Sequence, residues 1–175
     1  QLQCDVLNIP LYKVDNVTSD KTINLLKTLN IDLILVVVLD VIVKDKFLGT
    51  SKYGVISSHG GVLPYYRGDD CLRWAVLNKE NEVGTSTMIL NSGVDTGDIV
   101  SNNLINLENE LPCDIKQLGK KAYYHKKLYS YLHPTKQLIK TGNIKAKKQK
   151  LSKGKQYFFM HEELSKIVDM ILLKE

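Results

Sequence analysis

Ser57-Ser58-His59-Gly60-Gly61-Val62-Leu63-Pro64-Tyr65-Tyr66-Arg67-Gly68 is the stretch whose reading decides the fold. Gly54 to Ser57 reads as a strand that delivers His59 at its carboxyl end. Glycines at 60 and 61 relax the backbone where that strand stops. Pro64 fixes one φ angle and Gly68 permits an unusual one. Asp69 or Asp70 then starts a helix running through Asn78. Downstream, Val94-Asp95-Thr96-Gly97-Asp98 offers a carboxylate before Thr-Gly. A helix-like and a strand-like stretch separate His59 from Asp95, enough chain to leave one edge of a sheet and return. A His and an Asp brought together in this way form an acid/base pair. Each has a plainer reading alone: His59 as a solvent-facing loop residue, Asp95 as a turn former.

Outward from this stretch the pattern is an α/β alternation. Ile9 to Val14 reads as a short strand. Thr18-Ser19-Asp20 supplies N-cap chemistry for a helix from Asp20 to Asn30. Ile31 to Val38 is apolar and rich in β-branched residues, as a central parallel strand would be. Val41 to Leu48 reads as a short helix or turn. Thr85 to Leu90 and Gly97 to Ile105 read as a hairpin-like pair, and Pro112 opens a long helix reaching about Ile139. Strands followed by helices, with the reactive histidine just past a strand, imply a doubly wound sheet whose ligands sit beyond the carboxyl ends of the strands.

Composition bounds the function classes. The chain has 175 residues, 43% of them hydrophobic, so it is neither disordered nor fibrous. Cys4, Cys71 and Cys113 are sparse and lack Cys-x-x-Cys spacing, which argues for reduced thiols and a cytoplasmic setting. No zinc pattern links the four histidines to one another or to cysteine. The apolar run Leu33 to Leu39 is too short to span a bilayer, and no signal peptide is visible. No glycine-rich loop occurs in the first fifty residues.

The stretch 57–68 together with Val94-Asp95-Thr96-Gly97 resembles the active-site segments of the folate-dependent formyltransferases, which formylate glycinamide ribonucleotide, methionyl-tRNA and amino sugars. Trp74-Ala75-Val76-Leu77-Asn78 and Val83-Gly84-Thr85-Ser86 resemble the intervening helix and strand. The resemblance covers roughly residues 9 to 105. It implies an α/β, Rossmann-like formyltransferase fold, a mostly parallel sheet with flanking helices, N-terminally incomplete because the family's first strand and phosphate-cradling loop come earlier. It implies 10-formyltetrahydrofolate as formyl donor and His59, Asp95 and Ser57 as catalytic residues. His59 would stabilise the developing oxyanion, and Asp95 would pair with it and order a water that shuttles the amine proton. The family's asparagine aligns with Ser57, a shorter donor, and losing one such donor costs about 10²–10³ in turnover. In the family an apolar loop lines the pterin pocket, and it corresponds here to Val38, Leu39, Asp40, Val41 and Ile42. By pattern alone that loop is ordinary core.

The last part of the chain differs in kind. Lys140 to Lys155 holds seven lysines and no acids, interrupted by Gly142, Ser152 and Gly154, and reads as a loop or extended arm. Glu162 to Leu173 reads as an amphipathic helix with Leu164, Ile167, Val168, Ile171 and Leu172 on one face. Residues 1–140 form the catalytic domain in this reading, and 141–175 the basic arm and terminal helix. Only Arg67 and Arg73 are arginines; Arg67 is expected to anchor a loop through backbone carbonyls, and Arg73 to face solvent. The net charge of +5 suits either a solvated surface or an anionic substrate. The amine is then an amino sugar on a nucleotide carrier. Methionyl-tRNA ranks lower, because those enzymes carry a further β-barrel domain, so nucleic acid is not the expected partner and a membrane is excluded. A catalytically impaired relative that only binds ligand is the third reading. A homodimer is compatible with all three.

Overall fold

A computed structural model of the chain describes residues 2–37 and 41–174, without the side chains of residues 2 and 124–128. Its elements in order are α1 (Leu2–Val6), α2 (Asp20–Thr28), β1 (Ile34–Val36), α3 (Asp45–Leu48), β2 (Val55–His59), β3 (Tyr66–Gly68), α4 (Cys71–Leu77), β4 (Glu82–Ile89), β5 (Asp98–Asn106), α5 (Ile115–Gly119), a π-helical turn (Lys120–Tyr124), α6 (His125–Thr141), β6 (Lys155–Tyr157) and α7 (Glu162–Leu173). The α/β architecture is the one the sequence implies. The sheet is mixed rather than mostly parallel: its order is β1-β2-β4-β5, with β1–β2 parallel and β2–β4 and β4–β5 antiparallel. The chain between β4 and β5 is a short turn, and a short turn can only join antiparallel neighbours.

Side-chain caps account for two of the helix starts. Ser19 caps α2 by accepting from the Thr22 amide at 3.3 Å. Asp114 caps α5 through the Gln117 amide at 2.7 Å, so the long helix starts at Ile115 rather than Pro112. Residues 9–14 form no strand. Ile9, Leu11 and Tyr12 stay more than half exposed, and a β-type composition makes no strand without a neighbour to pair with. The apolar run after Ile31 yields only a three-residue strand, at the edge of the sheet among the described residues.

Alternation along β2 divides the core. Val55 packs with Val36, Val43 and Phe47, whereas Ile56 packs with Tyr131 and Ile144. Successive strand residues face opposite sides, so α3 and α6 cover opposite faces of this strand. A third cluster joins α4 to α7: Leu72, Ala75 and Val76 meet Val168 and Leu172, with Leu164 and Ile171 against them. Ile167 keeps 45% exposure at the edge of that apolar stripe. Arg73 does not simply face solvent, since its Nη1 lies 3.6 Å from Asp169 Oδ1 on α7.

The lysine-rich segment is extended and tied down. Lys147 and Ile99 exchange backbone hydrogen bonds of 2.8 and 2.7 Å. β6 then pairs in parallel with β3 in a separate two-stranded sheet. Tyr157 stacks on Tyr66 at 5.0 Å, and Trp74 Nε1 donates to the Phe158 carbonyl at 2.8 Å.

Candidate active site

The Ser-x-His spacing puts Ser57 and His59 on one face of β2, the face that Val55 shares with α3. The turn after β2 is held by side chains outside the signature. Ser86, fully buried on β4, donates to the Gly61 carbonyl at 2.7 Å and accepts from the Leu63 amide at 2.8 Å. Asn102 donates to the Leu63 carbonyl at 3.0 Å, and Tyr123 Oη to the Gly60 carbonyl at 2.8 Å. The Tyr123 ring occupies the space that a Cβ at Gly60 would need, with atoms 2.0–2.4 Å from it. Arg67 donates to the carbonyls of Pro64, Leu151 and Gly154 at 3.2–3.4 Å, the anchoring role expected of it.

His59 and Asp95 meet. His59 Nδ1 lies 3.3 Å from Asp95 Oδ2, with side-chain exposures of 8% and 19%. The same carboxylate oxygen accepts from the Gly68 amide at 2.9 Å. His59 Nε2 is 2.8 Å from the Tyr66 carbonyl and 3.5 Å from Cys71 Sγ. Both ring nitrogens therefore face groups within the protein. Asp95 itself adopts a left-handed backbone with φ +49°.

Beside this pair lies a cavity of about 430 Å³. Val41, Ile42, Val43, Met88 and Leu90 make its apolar wall, with Ser57, Asn91 and Asp95 beside them and Asp69, Gln156 and Phe158 also lining it. Of the expected pocket loop, Val41 and Ile42 are on this wall, half or more exposed in Ile42's case at 65%, while Val38, Leu39 and Asp40 lie outside the described residues. Ser57 and Asp95 line the cavity; His59 stands behind Asp95. The cavity thus sets an apolar wall against a few polar groups.

Residues 4–122 match the family model described as formyl transferase. The chain belongs to the formyl transferase family. Among the curated relatives of this family member, methionyl-tRNA formyltransferase of Clostridioides difficile (strain 630) is 35% identical over 104 residues, 59% of this chain and 34% of that protein. The corresponding protein of Citrifermentans bemidjiense is 39% identical over 92 residues, 53% and 29% of the two chains. The chain thus spans about a third of the length of the curated relatives it matches. Among solved structures, the formyltransferase PseJ from Anoxybacillus kamchatkensis, in complex with UDP-4,6-dideoxy-4-formamido-L-AltNAc and tetrahydrofolate, shares the fold at TM-score 0.71 and 19% identity, over 98% of this chain and 92% of that one. An N-formyltransferase from Helicobacter canadensis, in complex with folinic acid and dTDP-3-aminofucose, matches at TM-score 0.54 and 22% identity, over 71% and 44%. No helix among the described residues is long and apolar enough to cross a membrane.

Cys71 adjoins the site without the character of a nucleophile. Burial, reinforced by the carboxylates of Asp95, Asp69 and Asp70, pushes its thiol up to about 12. A thiol held neutral in the folded state favours folding below the unfolded thiol's ordinary range. That contribution is lost as pH rises from about 9 towards 12. At pH 8, iodoacetamide is therefore expected to leave Cys71 unmodified in the folded chain and to modify it after denaturation, read by peptide mass spectrometry. Labelling of folded Cys71 at the rate of an unfolded thiol would contradict this environment.

Asn102 and Tyr123, which donate to backbone carbonyls of the 60–63 turn, carry no sequence signal. Ser86 falls in the stretch that resembles the family's strand, and its role follows from its pairing opposite His59.

Proposed function

We propose that the chain transfers a formyl group from 10-formyltetrahydrofolate to a primary amine carried on a nucleotide-linked amino sugar. One observation carries the reading: Ser57 and Asp95 line one cavity, with His59 3.3 Å behind Asp95. The donor supplies the formyl carbon. The apolar wall of Val41, Ile42, Val43, Met88 and Leu90 would hold its heterocycle. The Ser57 hydroxyl is a donor available to an oxygen gaining negative charge in the cavity. Asp95 takes the amine proton, directly or through one water, by its Oδ1, which has no hydrogen-bond partner among the described residues. His59 does not line the cavity, so its part is to hold the Asp95 carboxylate through the Nδ1–Oδ2 contact rather than to meet the oxyanion. The net change is one C–N bond made to the amine and one broken in the donor, with a proton passed from amine to tetrahydrofolate.

The sugar reading is supported by Phe158, 67% exposed on the cavity wall, next to Gln156 and Asp69. A flat apolar face beside hydrogen-bonding groups suits a sugar ring. Lys145, Lys147, Lys148 and Lys150 are exposed and form no ion pair among the described residues, which leaves them able to attract phosphate. The second reading, methionyl-tRNA as acceptor, is favoured by the 35% identity to the curated relative. Parallel assays with a nucleotide-linked amino sugar and with methionyl-tRNA, each at rising salt, separate the two. The sugar reading expects product from the sugar with a shallow salt dependence. Product from tRNA alone, with the steep slope of many released counterions, would replace it.

A further inference from the structure

Gln149 is an oddity in its surroundings. Lysines at 147, 148 and 150 flank it and are exposed, yet Gln149 is only 8% exposed. Its carboxamide nitrogen uses both hydrogens, on the Asp95 carbonyl at 2.9 Å and on the Gly97 carbonyl at 2.6 Å. These two carbonyls bracket Thr96, the turn that carries the acidic side chain. The amide oxygen of Gln149 is buried with no hydrogen-bond partner among the described residues. A buried polar atom left unpaired opposes folding, so the side chain is poorly explained as a device for stability alone.

The backbone it holds is an uncommon one. Asp95 sits at φ +49°, a left-handed conformation that aspartate tolerates better than most side-chain-bearing residues but visits only occasionally. On the other side, Thr96 Oγ1 donates to Asn91 Oδ1 at 2.8 Å, so the turn is gripped from two directions. The backbone exchange between Lys147 and Ile99 sets the register that brings Gln149 beneath the turn. In this conformation Asp95 Oδ2 reaches both the Gly68 amide and His59 Nδ1.

We propose that Gln149 is a positioning residue for the reaction: it clamps the 95–97 turn in the left-handed conformation that aims the Asp95 carboxylate at His59 and the Gly68 amide. The lysine-rich segment is thereby part of the active-site scaffold. The catalytic consequence rests on the formyl-transfer reading above; the clamp itself does not.

The experiment compares the chain with Gln149→Met, which keeps side-chain volume and loses both donors, and Gln149→Glu, which keeps shape but loses them at neutral pH. Amide hydrogen exchange of Gly68 reports the Asp95 contact without any need for activity. In both variants the Gly68 amide is expected to exchange at least about tenfold faster, while Val55 and Ile56 in the sheet change little. Turnover is expected to fall by about 10–100-fold with donor KM nearly unchanged, as a misplaced catalytic group produces. In Asp95→Ala, adding Gln149→Met should cost almost nothing more, because there is no carboxylate left to aim. Unchanged Gly68 exchange in a folded variant would overturn the clamp, as would a uniform rise across all amides. A full additional loss on top of Asp95→Ala would overturn the positioning role. If the unmodified chain transfers no formyl group, the exchange result still decides the clamp, and the failure belongs to the formyl-transfer reading.

Discussion

Asp95→Asn is expected to lower kcat/KM for formyl transfer by about 10²–10⁴-fold, the range that a general acid–base residue contributes. The substitution isolates charge from shape. The Asn side-chain oxygen can still accept from the Gly68 amide, which is now 2.9 Å from Asp95 Oδ2, so the 66–70 connection stays anchored. What is lost is the anion beside His59 and the ability to receive the amine proton. The melting temperature should therefore stay close to that of the unmodified chain while turnover collapses. A loss below about tenfold would remove Asp95 from the proton path. A matching loss of stability would show that the carboxylate matters to the fold instead.

A large loss of stability is expected from Gly97→Ala. A Cβ at this position would lie 1.9 Å from the Ile89 carbonyl oxygen and 2.9 Å from its carbon, both backbone atoms of β4. Backbone cannot swing aside as a side chain does, so the start of the β4–β5 ladder at Ile89 and Asp98 has to separate. Overpacking of this kind costs about 3 kcal/mol. In a domain of this size that corresponds to on the order of 10 °C in Tm. The Gly97 carbonyl also receives the shorter of Gln149's two hydrogen bonds, so turnover should fall with stability. Thermal unfolding followed by circular dichroism checks the first effect. A shift of less than about 2 °C would mean that the turn yields more readily than its packing implies.

The elements most legible in the sequence were those whose information is local. Ser19 announces α2 because its hydroxyl must lie three residues before an amide it can satisfy, and the structure has that bond. The hairpin of β4 and β5, the strand delivering His59 and the amphipathic α7 follow from periodicity in the same way. The approach of His59 and Asp95 was legible because chain length and the intervening elements return the second segment to the sheet edge. Pairing is where local reading fails. Residues 9–14 have strand composition and no strand, since composition cannot supply a neighbour. The antiparallel entry of β4 beside β2 is a property of topology, and no residue in either strand encodes it alone. The tail was legible as lysine-rich and extended, but not as a scaffold. A glutamine among lysines gives no hint that its amide will end beneath Asp95, and Tyr157 gives none that it will stack on Tyr66.

The measurement that tests the account most directly is single-turnover formyl transfer by this chain, with 10-formyltetrahydrofolate and a nucleotide-linked amino sugar, and the acceptor followed by mass spectrometry. An acceptor carrying one added formyl group is expected with the unmodified chain and almost none with Asp95→Asn, both proteins being equally folded. No formylated acceptor from the folded chain, or equal product from the Asp95→Asn variant, would contradict it.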